Sequence, residues 1–397
     1  MGVLNAASPR GLDRLRVPGP ASFALLYGLD ALARGMLASI VPLEALTVTG
    51  SSRGVAILGF IVAGAALVGR FWIPFLIRRL GRRRVFLLGV SLTLAVPFLI
   101  WTASLGGQAS GQLCRLLAVA CFRITTDLYI MDTIPRRQLV TVEPLKFSAS
   151  AVGWAIGPAA GMMLFLQAGP WAAFLASAGL GALTIAYFLT LDLGEVPRVA
   201  ALPVAANPLR HARRFLAQPR LRLAWLIAFA RSLWWASLYT YGPIYIVTQG
   251  GGPELASWVV SVASAMLLFS VAYGRLGQRI GVRRTIIAGF AGSALCALGI
   301  VVCFGNVWAG AALLIAGTAS CGAVDAVGNI PYMRAVRARE RPEMAMIQTT
   351  SRDAADLIPS AVFAVLLSFF DLWAVFAAIA LTLVAVAWMS RWVPRSM

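Results

Sequence analysis

The sequence predicts an all-α membrane protein of twelve transmembrane helices in two pseudo-symmetric six-helix bundles. Three observations carry this. Hydrophobic residues make up 60% of the chain and charged residues 12%, with a mean hydropathy of +0.82. A soluble domain carries about 25% charged residues, so this chain cannot cover itself with a polar surface. Apolar runs long enough to cross a bilayer recur throughout. Finally, the basic hinge in "IPFLIRRLGRRRVFLLG" returns in "AYGRLGQRIGVRRTIIAG", with the pivots Gly81 and Gly281 200 positions apart in 397.

A helix needs about 20 apolar residues to span the hydrocarbon. Twelve runs qualify: span 1 (21–48), span 2 (55–77), span 3 (85–104), span 4 (111–133), span 5 (147–168), span 6 (171–191), span 7 (222–247), span 8 (256–276), span 9 (285–305), span 10 (307–333), span 11 (346–369) and span 12 (372–391). The Pro- and Arg-rich break 192–221 divides them six and six, with a short amphipathic helix expected over Pro208–Leu216 on the membrane surface.

The turns between spans alternate in charge. Positive charges cluster before span 1 (Arg10, Arg14, Arg16), after span 2 (Arg78, Arg79, Arg82, Arg83, Arg84), after span 4 (Arg136, Arg137, Lys146), in the central break, at the end of span 8 (Arg275, Arg279, Arg283, Arg284), after span 10 (Arg334, Arg337, Arg339, Arg341) and after span 12 (Arg391, Arg395). The opposite turns hold Arg53 alone. This asymmetry places both termini and the break in the cytoplasm. The expected organisation is a cytoplasmic tail 1–20, a bundle 21–191, a linker 192–221, a bundle 222–391 and a cytoplasmic tail 392–397. Further echoes support the repeat: Pro42 and Pro243, each read as ending an apolar helix, and "DTIPRR" against "GNIPYMR" closing spans 4 and 10. Paired bundles of this kind place a substrate site between them near the midplane.

Several function classes fall away. The net charge of +19 reads as topology signals rather than nucleic-acid binding, since no basic patch sits on a soluble domain. His211, the single histidine, lies in the linker, and the five cysteines sit in apolar runs without a C-x-x-C pair, so no metal site or cofactor is expected. No G-x-x-x-x-G-K-[ST] loop is present, and no nucleophile–base pair suggests an enzyme. The proline-rich start lacks a signal peptide's apolar core, and with the short loops this points to a bacterial inner membrane. The expected partners are a small-molecule substrate, protons and the lipid bilayer, with the chain acting as a monomer.

The two hinges resemble motif A of the major facilitator superfamily, G-x-L-x-D-R-x-G-R-R between helices 2 and 3. Gly274, Leu276, Arg279, Gly281, Arg283 and Arg284 follow it in the second half, with Gln278 in place of the acid. Arg79, Gly81, Arg82 and Arg83 follow it in the first, with Pro74 for the leading glycine and Arg78 for the acid. "GWAIGPAAG" in span 5 is similar to motif C through Gly153, Gly157, Pro158 and Gly161, and Arg115 occupies the arginine position of an R-x-x-Q-G element that is otherwise lost at Ala118 and Val119. The resemblance implies alternating access, a cavity lined by helices 1, 4, 7 and 10, and an ion-pair lock that these hinges, lacking the acid, cannot form in the usual way.

A charge at mid-bilayer costs at least about 2.5–3.5 kcal/mol, so each charge in a span is a functional candidate. Asp30 and Arg34 are i,i+4 on span 1, and the Pro42/Pro243 register sets Asp30 opposite Arg231 of span 7; a coupling site or a static ion pair fits that pattern. Without an intramembrane histidine, the proton carrier must be a carboxylate: Asp30, Asp325 or Asp127. Arg123 stands i,i−4 to Asp127, and Asn329 one turn beyond Asp325. Arg231, Trp235 and Tyr239 recur every four residues on span 7, either as packing or as an aromatic substrate wall. The expected cavity residues are therefore Arg34, Arg123, Arg231, Trp235, Tyr239 and Asn329. Asp132 with Arg136, and Arg352, Asp353 and Asp356 at the start of span 11, read as gating or structural charges, and Arg70 and Glu44 as structural. The expected function is secondary active transport. Proton-coupled efflux of an amphiphilic compound leads, because motif C resembles antiporters. Proton-coupled uptake or exchange of an anionic metabolite, or lipid flipping, stands beside it.

Overall fold

The structure is a computed structural model that describes residues 18–135, 139–191, 193, 208–336 and 341–394. Residues 1–17 of the N-terminal tail, Arg136 and Arg137, most of the 192–207 stretch, Arg337, Arg339 and Arg395 lie outside the described residues. The described residues form twelve long helical rods and a short linker helix, with no strand among them. Span 1 runs Pro20–Met36 and resumes as Ile40–Thr49; spans 2 to 6 are Ser52–Leu80, Arg82–Trp101, Leu105–Thr133, Leu139–Gln167 and Pro170–Thr190. Spans 7 to 9 are Pro219–Thr248, Pro253–Ile280 with a single 3₁₀ turn at Met266–Phe269, and Val282–Val302. Spans 10 to 12 are Val307–Val327 resuming as Ile330–Ala335, Arg341–Leu366 and Trp373–Met389.

Two details differ from the sequence reading. Neither Pro42 nor Pro243 ends a helix. Pro42 is the third residue of the resumed half of span 1, where its nitrogen owes no intrahelical bond, and Pro243 lies inside span 7. The linker helix, Pro208–Ala217, also does more than rest on a surface: Phe215 is buried with Leu221, Val336 and Met344 at the end of the second bundle.

Nine of the described rods are long and apolar enough to cross a membrane. The other three, spans 4, 7 and 11, have 29, 30 and 26 residues, long enough at 1.5 Å per residue but interrupted by charge. These three carry Arg115, Arg231, Asp353 and Asp356. Apolar side chains such as Val68, Phe71, Leu295, Val302, Trp308 and Leu381 are exposed, as expected of helices long and apolar enough to cross a membrane.

Both hinge pivots need glycine. Gly81 has φ +87° and ψ 159°, Gly281 φ +89° and ψ 145°, a region essentially closed to other residues. Each glycine caps one helix and starts the next. In span 5 the motif C glycines form a seam against span 1. A Cβ on Gly153 would lie 2.7 Å from the Leu32 nitrogen, and one on Gly157 2.7 Å from the Gly35 carbonyl carbon. Small residues spaced by four let two backbones touch, and Pro158 sits inside this seam helix without breaking it.

The bundles meet where span 2 packs on span 11 and span 5 on span 8. The packing is uneven along the membrane normal. One large core unites Ala45, Val55, Ala56, Leu58 and Val62, all from the Arg53 side of spans 1 and 2, with Leu238, Tyr241 and Phe363 of the second bundle. At the linker side each bundle keeps a core of its own: Phe23, Phe86, Tyr129 and Phe188 in the first, Phe215 and Met344 in the second. The conformer is therefore closed on the Arg53 side.

Candidate functional site

Near mid-membrane each bundle carries its own acid–base pair. In the first, Arg34 Nε donates to Asp30 Oδ2 at 2.8 Å, one turn apart on span 1, and the Asp30 side chain is 2% exposed. In the second, Arg231 Nε lies 3.3 Å from Asp325 Oδ1, and Trp235 Nε1 donates to Asp325 Oδ2 at 2.7 Å. Asp30 and Arg231 do not pair as the register suggested. Arg34 rises from the next turn of Asp30's own helix and reaches it first, leaving Arg231 to the acid of the neighbouring span 10.

Aromatic rings join the two pairs. The Arg34 guanidinium sits 5.5 Å over the Trp154 ring of span 5. Trp154 meets Tyr239 of span 7 at 4.7 Å between centroids, and Tyr239 stacks with Trp235 at 5.9 Å. Tyr239 also shares a hydrogen bond of 3.1 Å with Ser264. A continuous path thus runs Asp30–Arg34–Trp154–Tyr239–Trp235–Asp325–Arg231 across the bundle interface. Beside it, Arg115 of span 4 lines a water-sized cavity of about 10 Å³ with Arg34, Thr93 and Ser177. Arg115 lies within electrostatic reach of Arg34, Tyr239 and Asp356 but makes no ion pair or hydrogen bond among the described residues.

The other expected site residues lie elsewhere. Asp127 accepts from Tyr27 Oη at 2.8 Å and from Lys146 Nζ at 2.9 Å, and Lys146 also reaches Glu143 at 2.8 Å. This is a network internal to the first bundle, away from the Asp325 pair. Arg123 is exposed and makes no ion pair among the described residues. Asn329 is exposed at the break in span 10.

The gating candidates divide in the same way. Arg82 pairs with Asp132, tying the first hinge to the exit of span 4, and Arg79 lies 5.0 Å over the Phe75 ring. Gln278, Arg279 and Arg352 are exposed, and a Cβ on Gly274 would meet nothing. Across the interface, Arg70 of span 2 pairs with Asp353 of span 11 and has Asp356 at 4.0 Å. Gly59 beside Ser360 and Gly64 beside Leu357 continue that contact toward the Arg53 side.

A family model described as Major Facilitator Superfamily matches residues 23–358. The chain belongs to that superfamily. Its members are membrane transporters of small molecules, and the fold agrees. A nucleoside transporter, NupG (D323A mutant), superposes with a TM-score of 0.71 at 13% identity, over 94% of this chain and 98% of that one. A D-xylose–proton symporter gives a TM-score of 0.74 at 15% identity, over 95% and 98%. At such identities the likeness is one of fold. No curated protein sequence matches significantly.

Sequence reasoning left three contributors to this superfamily site unassigned. Trp154 had no signal, since an aromatic in an apolar run is ordinary. Arg115 stood out as a motif-like arginine, and Arg70 only as a charge toward the end of a span.

Proposed function

We propose that this transporter is a proton-coupled secondary carrier working by alternating access, and that its cargo is a small amphiphilic molecule bearing an anionic group, taken up or exchanged. The observation that carries the reading is the charge balance of the first bundle's half of the site. Arg34 is matched by Asp30, while Arg115 beside it has no ion-pair partner among the described residues. A planar guanidinium is suited to carboxylate or phosphate. The ring path through Trp154, Tyr239 and Trp235 supplies apolar faces for the rest of the molecule.

A second reading, proton-coupled efflux of an amphiphile, is favoured by the Gly153–Gly157–Gly161 seam, which resembles the antiporter motif. Reconstituted vesicles separate the two. A proton gradient directed inward should drive accumulation of organic anions under the first reading and depletion of hydrophobic cations under the second. Competition profiles with both classes identify which cargo the site accepts.

A further inference from the structure

Four acids and four arginines meet at the bundle interface, and three pairs are satisfied. Asp30 has Arg34, Asp325 has Arg231 and Asp353 has Arg70. Two charges are left over. Arg115, on span 4 of the first bundle, makes no ion pair among the described residues. Asp356, on span 11 of the second, has only Arg70 at 4.0 Å, and Arg70 is already held more tightly by Asp353. Arg115 and Asp356 are within electrostatic reach of one another yet not in contact. Asp356 is 31% exposed at its side chain, against 2% for Asp30 and 14% for Asp325, so among these acids it is the one most open to water.

We infer that Asp356 is the proton-coupling carboxylate and that Arg115 is the anion-binding group it balances across the interface. A substrate anion settling against Arg115 takes the place of Asp356 as its counter-charge. The carboxylate of Asp356 is then uncompensated and takes one proton from water. One anion and one proton enter together and the charge of the chamber is unchanged, so the bundles can reorient around it without stranding a charge in lipid. Asp30 and Asp325 stay fixed as ion-pair partners that hold Arg34 and Arg231 in place. The charged group nearest Asp356 is Arg70 from span 2, Arg115 from span 4 acts on it through the field without forming an ion pair, and Asp353 lies on its own helix. Span 7, also packed on span 11, contributes Arg231, which is committed to Asp325. The inference rests on the proton-coupled anion reading above and names the residues that perform it.

The test uses the purified full chain with benzoate as the probe and benzylammonium as its cationic counterpart. Binding is followed by thermal shift, and proton uptake by an indicator dye in weak buffer from pH 5.5 to 7.5. The wild type should take up about one proton per benzoate bound. Asp356→Asn should bind benzoate without proton uptake and without the fall in affinity as pH rises. Arg115→Gln should bind at least about tenfold more weakly, the loss of one charge-assisted bond, whereas Arg115→Lys retains part of the affinity and controls for folding. Proton uptake that persists in Asp356→Asn overturns the inference while leaving proton-coupled anion transport standing. A wild type that binds benzoate without proton uptake, or binds benzylammonium instead, overturns both.

Discussion

Asp325 shows how a membrane protein keeps a charge. Its two carboxylate oxygens are taken by Arg231 and by the Trp235 indole. Removing one partner of such a pair strands the other, while removing both need cost little. Arg231→Gln should therefore destabilise the protein by about 3–5 kcal/mol. The double change Arg231→Gln with Asp325→Asn should recover most of that loss, as read from thermal unfolding in detergent. Equal melting temperatures for the single and double variants would show that the pair is not coupled. At this scale the sequence revealed which charges lie in spans but not how they pair. The pairing of Asp30 with Arg34 was visible from their spacing. That of Arg231 with Asp325, 94 residues apart, depends on how spans 7 and 10 pack.

Among the elements, glycine position separates packing from pivoting. Gly157 meets the Gly35 backbone, which has no side chain to move aside, whereas Gly274 faces open space. Gly157→Ala should cost about 1–3 kcal/mol, as overpacked sites do. Gly274→Ala should be neutral or gain up to about 1 kcal/mol from helix propensity. Differential scanning fluorimetry of the two variants checks this contrast, and a Gly157→Ala protein as stable as wild type would remove the seam from the account. The hinges at Gly81 and Gly281 were legible because arginine clusters and apolar runs frame them. The interruptions in spans 1 and 8 were not, because Leu37–Ser39 and Met266–Phe269 are close in character to their neighbours, whereas span 10 breaks at Gly328 and Asn329 just before Pro331, residues that favour a helix end. The break in span 1 follows the seam, where the Met36 backbone lies against Gly161.

For the whole molecule, arginine asymmetry gives an orientation and core packing gives a state. In a cysteine-free background, Gln218→Cys at the start of span 7 should react with a membrane-impermeant thiol reagent only from the cytoplasmic side. Gly106→Cys at the start of span 4 should react only from the other side. The reverse pattern would invert the orientation and every charge assignment that depends on it. The shared core on the Arg53 side and the separate cores at the linker side describe a single state, closed on the Arg53 side. In that state Arg70 with Asp353 ties span 2 to span 11, in a chain whose hinges lack the acid of the superfamily's usual lock.

By itself the sequence determined the class of protein, the spans, their six-and-six division and the repeated hinge. These follow from hydrophobic run length, from charge between the runs and from internal repetition, all local quantities along the chain. Only the tertiary structure decided which charges meet. It moved Asp127 into a network with Tyr27 and Lys146, joined the two halves of the site through Trp154 and Tyr239, and left Arg115 without an ion pair among the described residues. Inside a bilayer a charge settles on the nearest partner in space, and spans far apart in sequence become neighbours only when the bundles pack.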